Sequence, residues 1–130
     1  MRPQKNRGGT ELKETVLWTN PSPTVSFGAQ TVTLSQNIED FQYIAVYNRV
    51  STTNTSESYV MCTVDEFKNF ILTGTHTNMA LGIRLSGNRS FARAVYYSNA
   101  TQIEFANAYE MTAPSGNNAY VIPTKIVGLK

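Results

Sequence analysis

The 130-residue chain has one cysteine and one histidine, and only 15 % of its residues are charged. One cysteine allows no internal disulfide and no cysteine-based zinc site. A single histidine, His76 in Gly-Thr-His-Thr-Asn, removes most metal-hydrolase and triad arrangements unless a second chain supplies partners. No run approaches the ~18 apolar residues of a membrane span, and the polar start Met-Arg-Pro-Gln-Lys lacks an apolar signal-peptide centre. Neither Gly-x-Ser-x-Gly nor an Asp-x-Asp-x-Asp-Gly calcium loop is present, and the glycines are scattered at turns instead of forming a phosphate cradle. The carboxylate pairs Glu39-Asp40 and Asp65-Glu66 are adjacent, so each pair points its side chains apart and does not face a sugar as a glycosidase pair must. Cys62, between Met61 and Thr63, reads as a small buried hydrophobe. The expectation is a non-enzymatic chain with no cofactor, no metal, no signal peptide and no membrane insertion.

What fills the gap is neutral polar: sixteen Thr, twelve Asn and ten Ser, beside 41 % hydrophobic residues. Thr fits strands, and Asn and Ser fit turns, so the mixture suits a β protein. The formal charge of +2 sits on residues 1–14, where Arg2, Lys5, Arg7 and Lys13 oppose Glu11 and Glu14; the remainder sums to zero. Nucleic-acid binding needs clustered Lys and Arg to displace counterions, and only Arg84, Arg89 and Arg93 are concentrated, which excludes nucleic acid as the expected partner. They could meet if two strands pair, and they read as a solvated strand face with a few ion pairs.

Residues 1–13 read as a flexible basic arm, because Met1–Thr10 holds Pro3, Gly8 and Gly9 and almost nothing apolar. Residues 14–130 read as one domain. Strand patterns run through 15–19, 30–34, 42–50, 58–63, 78–86, 89–98, 101–106 and 119–129, with Pro123 marking an edge or a bulge in the last. Asn20-Pro-Ser-Pro23 is a turn, Ser51–Ser58 a hairpin loop, and Ser86-Gly-Asn88 and Ser98-Asn-Ala100 tight turns. Thr63 with Glu66 three residues later forms a capping box for one or two helical turns. The pattern predicts an all-β, antiparallel β-sandwich, jelly-roll-like, with one short helical turn.

Seven tyrosines against one tryptophan divide between core packing, which alternating strand tyrosines also serve, and a contact surface for sugars or another subunit. Strand 42–50 is apolar on both faces, Ile44 and Val46 on one and Tyr43, Ala45 and Tyr47 on the other, so it is covered on each side or lies at a subunit contact. Tyr96 and Tyr97 are adjacent and face opposite ways, which puts one of them outside the core. The candidate contacts are therefore Tyr43, Tyr47, Tyr96, Tyr97, Arg84, Arg89 and Arg93. The polar loops 51–58, 73–78 and 113–118 are candidates for receptor contact, and Trp18 is assigned to the core.

Two segments carry a family resemblance. Glu14-Thr-Val-Leu-Trp-Thr-Asn-Pro-Ser-Pro-Thr-Val-Ser-Phe-Gly-Ala-Gln-Thr-Val-Thr-Leu-Ser resembles the opening of a module of bacteriophage tail-fibre and baseplate proteins. Ala119-Tyr-Val-Ile-Pro-Thr-Lys-Ile-Val-Gly-Leu-Lys resembles the closing strand of that module. The resemblance implies a virion surface component, assembled in the bacterial cytoplasm, that forms a homotrimer and contacts other virion proteins or a host-surface glycan. It implies no catalytic residue. The alternative is a carbohydrate-binding sandwich that belongs to no virion.

Overall fold

A computed structural model of the chain describes residues 11–69, 79–113 and 115–130. Its strands are β1 (Glu14–Thr19), β2 (Gln30–Thr33), β3 (Tyr43–Ser51), β4 (Glu57–Thr63), β5 (Met79–Leu85), β6 (Arg89–Asn99), β7 (Gln102–Phe105), β8 (Tyr109–Glu110), β9 (Ser115–Gly116) and β10 (Tyr120–Leu129). Helix α1 (Val64–Asn69) follows β4. All strand pairs are antiparallel, and they form two sheets around a shared core, the expected sandwich.

One sheet has the order β1-β10-β3-β4. The other is built on β6, which carries β5 along one edge and β7 and β8 on successive parts of the other, with β2 beyond β7 and β9 beyond β8. The first three strands alternate between the sheets in jelly-roll fashion, and consecutive hairpins follow. Leu17, Ile44, Val46, Ile122 and Ile126 of the first sheet meet Val32, Leu81, Phe91, Val95, Ile103 and Phe105 of the second. The two-residue period of these strands decides which side chains arrive there.

Local chemistry sets the boundaries. In the capping box, Thr63 Oγ1 accepts from the Glu66 N–H at 3.1 Å and Glu66 Oε1 accepts from the Thr63 N–H at 3.3 Å. Gly87 (φ 76°) and Asn88 (φ 62°) turn β5 into β6, a left-handed pair that glycine and asparagine tolerate best. Pro123 lies in the interior strand β10, and the ladder shifts register between Pro123 and Lys125, so the bulge accommodates a residue that cannot donate. The sheet starts earlier than Glu14: the Lys13 N–H donates to Lys130 O, the Lys130 N–H returns to Lys13 O, and Leu12 is buried. The rest of the expected arm, residues 1–10, lies outside the described residues. Strands β8 and β9, two residues each, have too little pattern to be seen in the sequence.

Two close fits hold β10 in place. Gly128 lies under the buried Phe41 ring, whose Cγ is 2.6 Å from where a β-carbon would stand. Arg93 is 1 % exposed and reaches across from β6. Its guanidinium donates to Val121 O (2.8 Å), Ala106 O (2.7 Å) and Tyr120 O (3.2 Å) and lies 5.2 Å from the Phe27 ring centre. Val121 has φ 50°, a left-handed conformation that costs a β-branched residue strain, and Arg93 bonds its carbonyl directly.

Candidate functional site

The residues singled out in the sequence separate onto different surfaces. Register places Glu14, Leu129, Tyr43 and Thr63 in one cross-strand row, Val16, Val127, Ala45 and Met61 in the next, and Lys125, Tyr47 and Tyr59 in a third. These rows form the face of the four-stranded sheet that points away from the core, and Leu12, Ala45, Tyr47, Val127 and Leu129 make a second apolar cluster there. Tyr43 is partly buried at that cluster. Tyr47 is only 5 % exposed, because its ring stacks on Tyr59 at 5.0 Å and Lys125 Nζ lies 4.5 Å from its centre. As an exposed contact Tyr47 is thus replaced by its partner Tyr59, which is 45 % exposed, together with Val16 at 47 %. Both were legible as alternate residues of their strands once the register was known.

This face also holds buried polar atoms without a partner, the Tyr47 hydroxyl and Glu14 Oε2. Burial pushes the Tyr47 phenol up to about 12, with the charges of Glu14, Tyr59 and Glu57 adding to the shift.

The tyrosine pair on β6 divides as the alternation requires. Tyr97 faces the core, edge-on to Phe67 at 6.0 Å, while Tyr96 pairs with the exposed Glu104 on the outer face. The three arginines do not form a patch. Strands β5 and β6 do pair, but Arg84 lies opposite Ser90 on the outer face, and Arg89 and Arg93 share the inward parity of Phe91 and Val95. Arg93 is therefore no solvated residue. It is buried, and loss of hydration lowers its guanidinium to about 10, leaving it charged at neutral pH. Arg89 makes a two-pronged pair with Glu110, at 2.8 Å and 3.0 Å, and lies over the stacked rings of Phe91 and Tyr120. That bond holds the Glu110 carboxyl below its ordinary range.

Of the polar loops, 52–56 is fastened by its own side chains: Ser51 Oγ accepts from the N–H groups of Thr53 and Asn54, and Asn54 Oδ1 from that of Ser56. Asn118 ties the third loop back, accepting from the Ala108 N–H and donating to Asn107 Oδ1. Loop 73–78, with His76, and Pro114 lie outside the described residues. Cys62 is packed against the core, and burial followed by the Glu66 charge raises its thiol to about 11, which keeps it protonated and unreactive.

Trp18 packs against the core and is only partly covered. The β1 ladder shifts register between Val16 and Trp18, so Leu17 and Trp18 both turn inward. The indole packs on Phe27 (6.1 Å, edge-on) and Phe105 (5.7 Å, tilted) yet remains partly open. It lines a groove of about 390 Å³ between the end of β1, the 20–27 loop and β2. A second cavity, about 300 Å³, lies between α1 and the 39–42 turn and contains the Glu39–Lys68 ion pair.

No family model matches the chain, and no curated protein matches it.

Proposed function

We propose that the chain is a non-enzymatic virion surface protein of a bacteriophage, working as a homo-oligomer in assembly and host attachment. The observation that carries this reading is the outer face of the four-stranded sheet. Val16 and Tyr59 stand open on either side of an apolar cluster on a sheet face that, among the described residues, has no second sheet over it. Aromatic and aliphatic side chains grouped in this way mark protein contact surfaces, and closed cyclic assembly is the common way to cover them. The end segments that resemble phage tail-fibre and baseplate modules supply the virion setting and the three-fold symmetry.

The test is the solution mass of the full chain by light scattering, alone and with Tyr59→Ser and Val16→Ser combined. The expected result is a trimer of three 14.4 kDa chains that the double variant dissociates. A monomer at every concentration overturns the assembly reading. Loss of phage adsorption on exchange of the exposed aromatics tests attachment, and unchanged adsorption removes it.

A further inference from the structure

We infer that the groove beside Trp18 is a binding site for a neutral saccharide. The lining includes Trp18, Val25, Phe27, Gln30, Thr31 and Thr33, and among the described residues no Lys, Arg, Asp, Glu or His contributes to it. A groove without charge offers nothing to a phosphate, a carboxylate or an ammonium group, so a charged ligand would give up its hydration without a counter-charge. What it does offer is a set of unspent neutral hydrogen-bonding groups. Among the described residues, no hydrogen bond engages the Trp18 indole N–H or the hydroxyls of Ser22 and Ser26, while Thr31 and Thr33 alternate with the buried Val32 and stand on the outer side of the groove's edge strand. Gln30 spends only its amide N–H₂, on Gly28 O at 3.1 Å, which leaves its oxygen as an acceptor.

Hydroxyls that both donate and accept, around a flat apolar ring, complement a pyranose. Its C–H face lies on the indole while its own hydroxyls exchange bonds with the rim. The volume of about 390 Å³ falls in the range of small-ligand sites. The platform is rigid as well: the bulge turns Trp18 inward, and Phe27 and Phe105, themselves 5.4 Å apart, brace the ring from behind. The cavity by α1 lacks these features, since an ion pair occupies it and its aromatic ring, Phe41, is buried. This inference rests on the attachment half of the proposed function and is independent of the assembly half.

The test is a titration of the full chain with neutral oligosaccharides of glucose, galactose, rhamnose and N-acetylglucosamine, read by indole emission and by ¹⁵N amide shifts. The expected result is saturable binding of at least one, with shifts confined to residues 18–33. Ser26→Arg, an exposed change that sets a long charged side chain at the rim, should abolish it. Trp18→Phe, which keeps an aromatic ring in the core, should weaken it about tenfold, read by the amide shifts. Circular dichroism melts confirm that both variants fold. A flat response to all four sugars, shifts that map elsewhere, or binding indifferent to both variants overturns the inference, as does preference for sialylated or phosphorylated sugars. The solution mass of the same sample separates the two readings: a trimer blind to sugar removes only the groove, and a sugar-binding monomer removes only the assembly.

Discussion

Gly128→Ala asks whether the packing of one glycine holds the four-stranded sheet together. A β-carbon at this position would stand 2.6, 2.7 and 2.9 Å from Cγ, Cδ1 and Cδ2 of Phe41. Carbon atoms rest about 3.5–4.0 Å apart, so the ring must retreat by roughly 1 Å. It is 5 % exposed, with Lys130 Nζ 5.2 Å from its centre, so it moves only by disturbing packed neighbours. Overpacking of this kind costs about 1–3 kcal/mol, and relief of glycine's chain entropy returns about 0.5–1 kcal/mol. The net loss is about 1–2 kcal/mol, which at an ordinary urea dependence lowers the unfolding midpoint by roughly 0.5–1 M. Phe41→Leu alone should cost about 1–2 kcal/mol through lost volume. In the double variant the leucine makes room for the methyl group, so the combined loss should fall short of the sum by about 1 kcal/mol or more. Urea titrations followed by circular dichroism give all four corners of the cycle. An unchanged midpoint for Gly128→Ala, or strict additivity, would refute the steric argument.

Three further perturbations have definite signs. Arg93→Met removes all three donors to the β10 and β7 ends and should cost about 2–4 kcal/mol in urea unfolding; Arg93→Lys should be nearly as damaging although it keeps the charge, because an ammonium cannot span three carbonyls in a plane. Glu110 is a carboxyl whose folded pKa lies below its unfolded value, so its stabilisation is complete above the unfolded carboxylate range and lost as pH falls through the folded pKa. Urea midpoints from neutral to acid pH should therefore fall more steeply in the natural chain than in Glu110→Gln. Thr63→Ala opens the capping box of α1 and should cost about 1 kcal/mol, seen as a lower melting temperature.

Alternation made most of the strands visible because they lie where the sheet buries one face and opens the other, and the capping box marked the helix. Residues 42–50, apolar on both faces, imply a strand with something on each side, and Ile44 and Tyr47 do belong to different clusters. Surface chemistry was less legible, for two physical reasons. Alternation tells which residues share a face but not which face is inside, so Arg93 looked like a partner of Arg84 when its parity sends it into the core. Exposure also depends on neighbours across the ladder: Tyr47 is covered by Tyr59 and Lys125, residues 12 and 78 positions later, whose placement only the register fixes. Strict alternation after the buried Leu17 would send Trp18 outward, and the bulge between Val16 and Trp18 turns it inward instead, a change of parity that no local pattern announces.

The position of β10 between β1 and β3 has a consequence during synthesis. A ribosome delivers β1 and β3 long before the strand that joins them, and Glu14 finds its partner Leu129 only after 114 intervening residues have emerged. Until then the growing chain carries two unpaired strand edges and an uncovered half-core, the state in which β chains associate wrongly. Closure of the sheet is thus a late event with a long loop to bring together, and it should be slow. A terminal deletion through 120–130 would remove the central strand of one sheet while leaving most of the sequence intact, and the product should accumulate as aggregate.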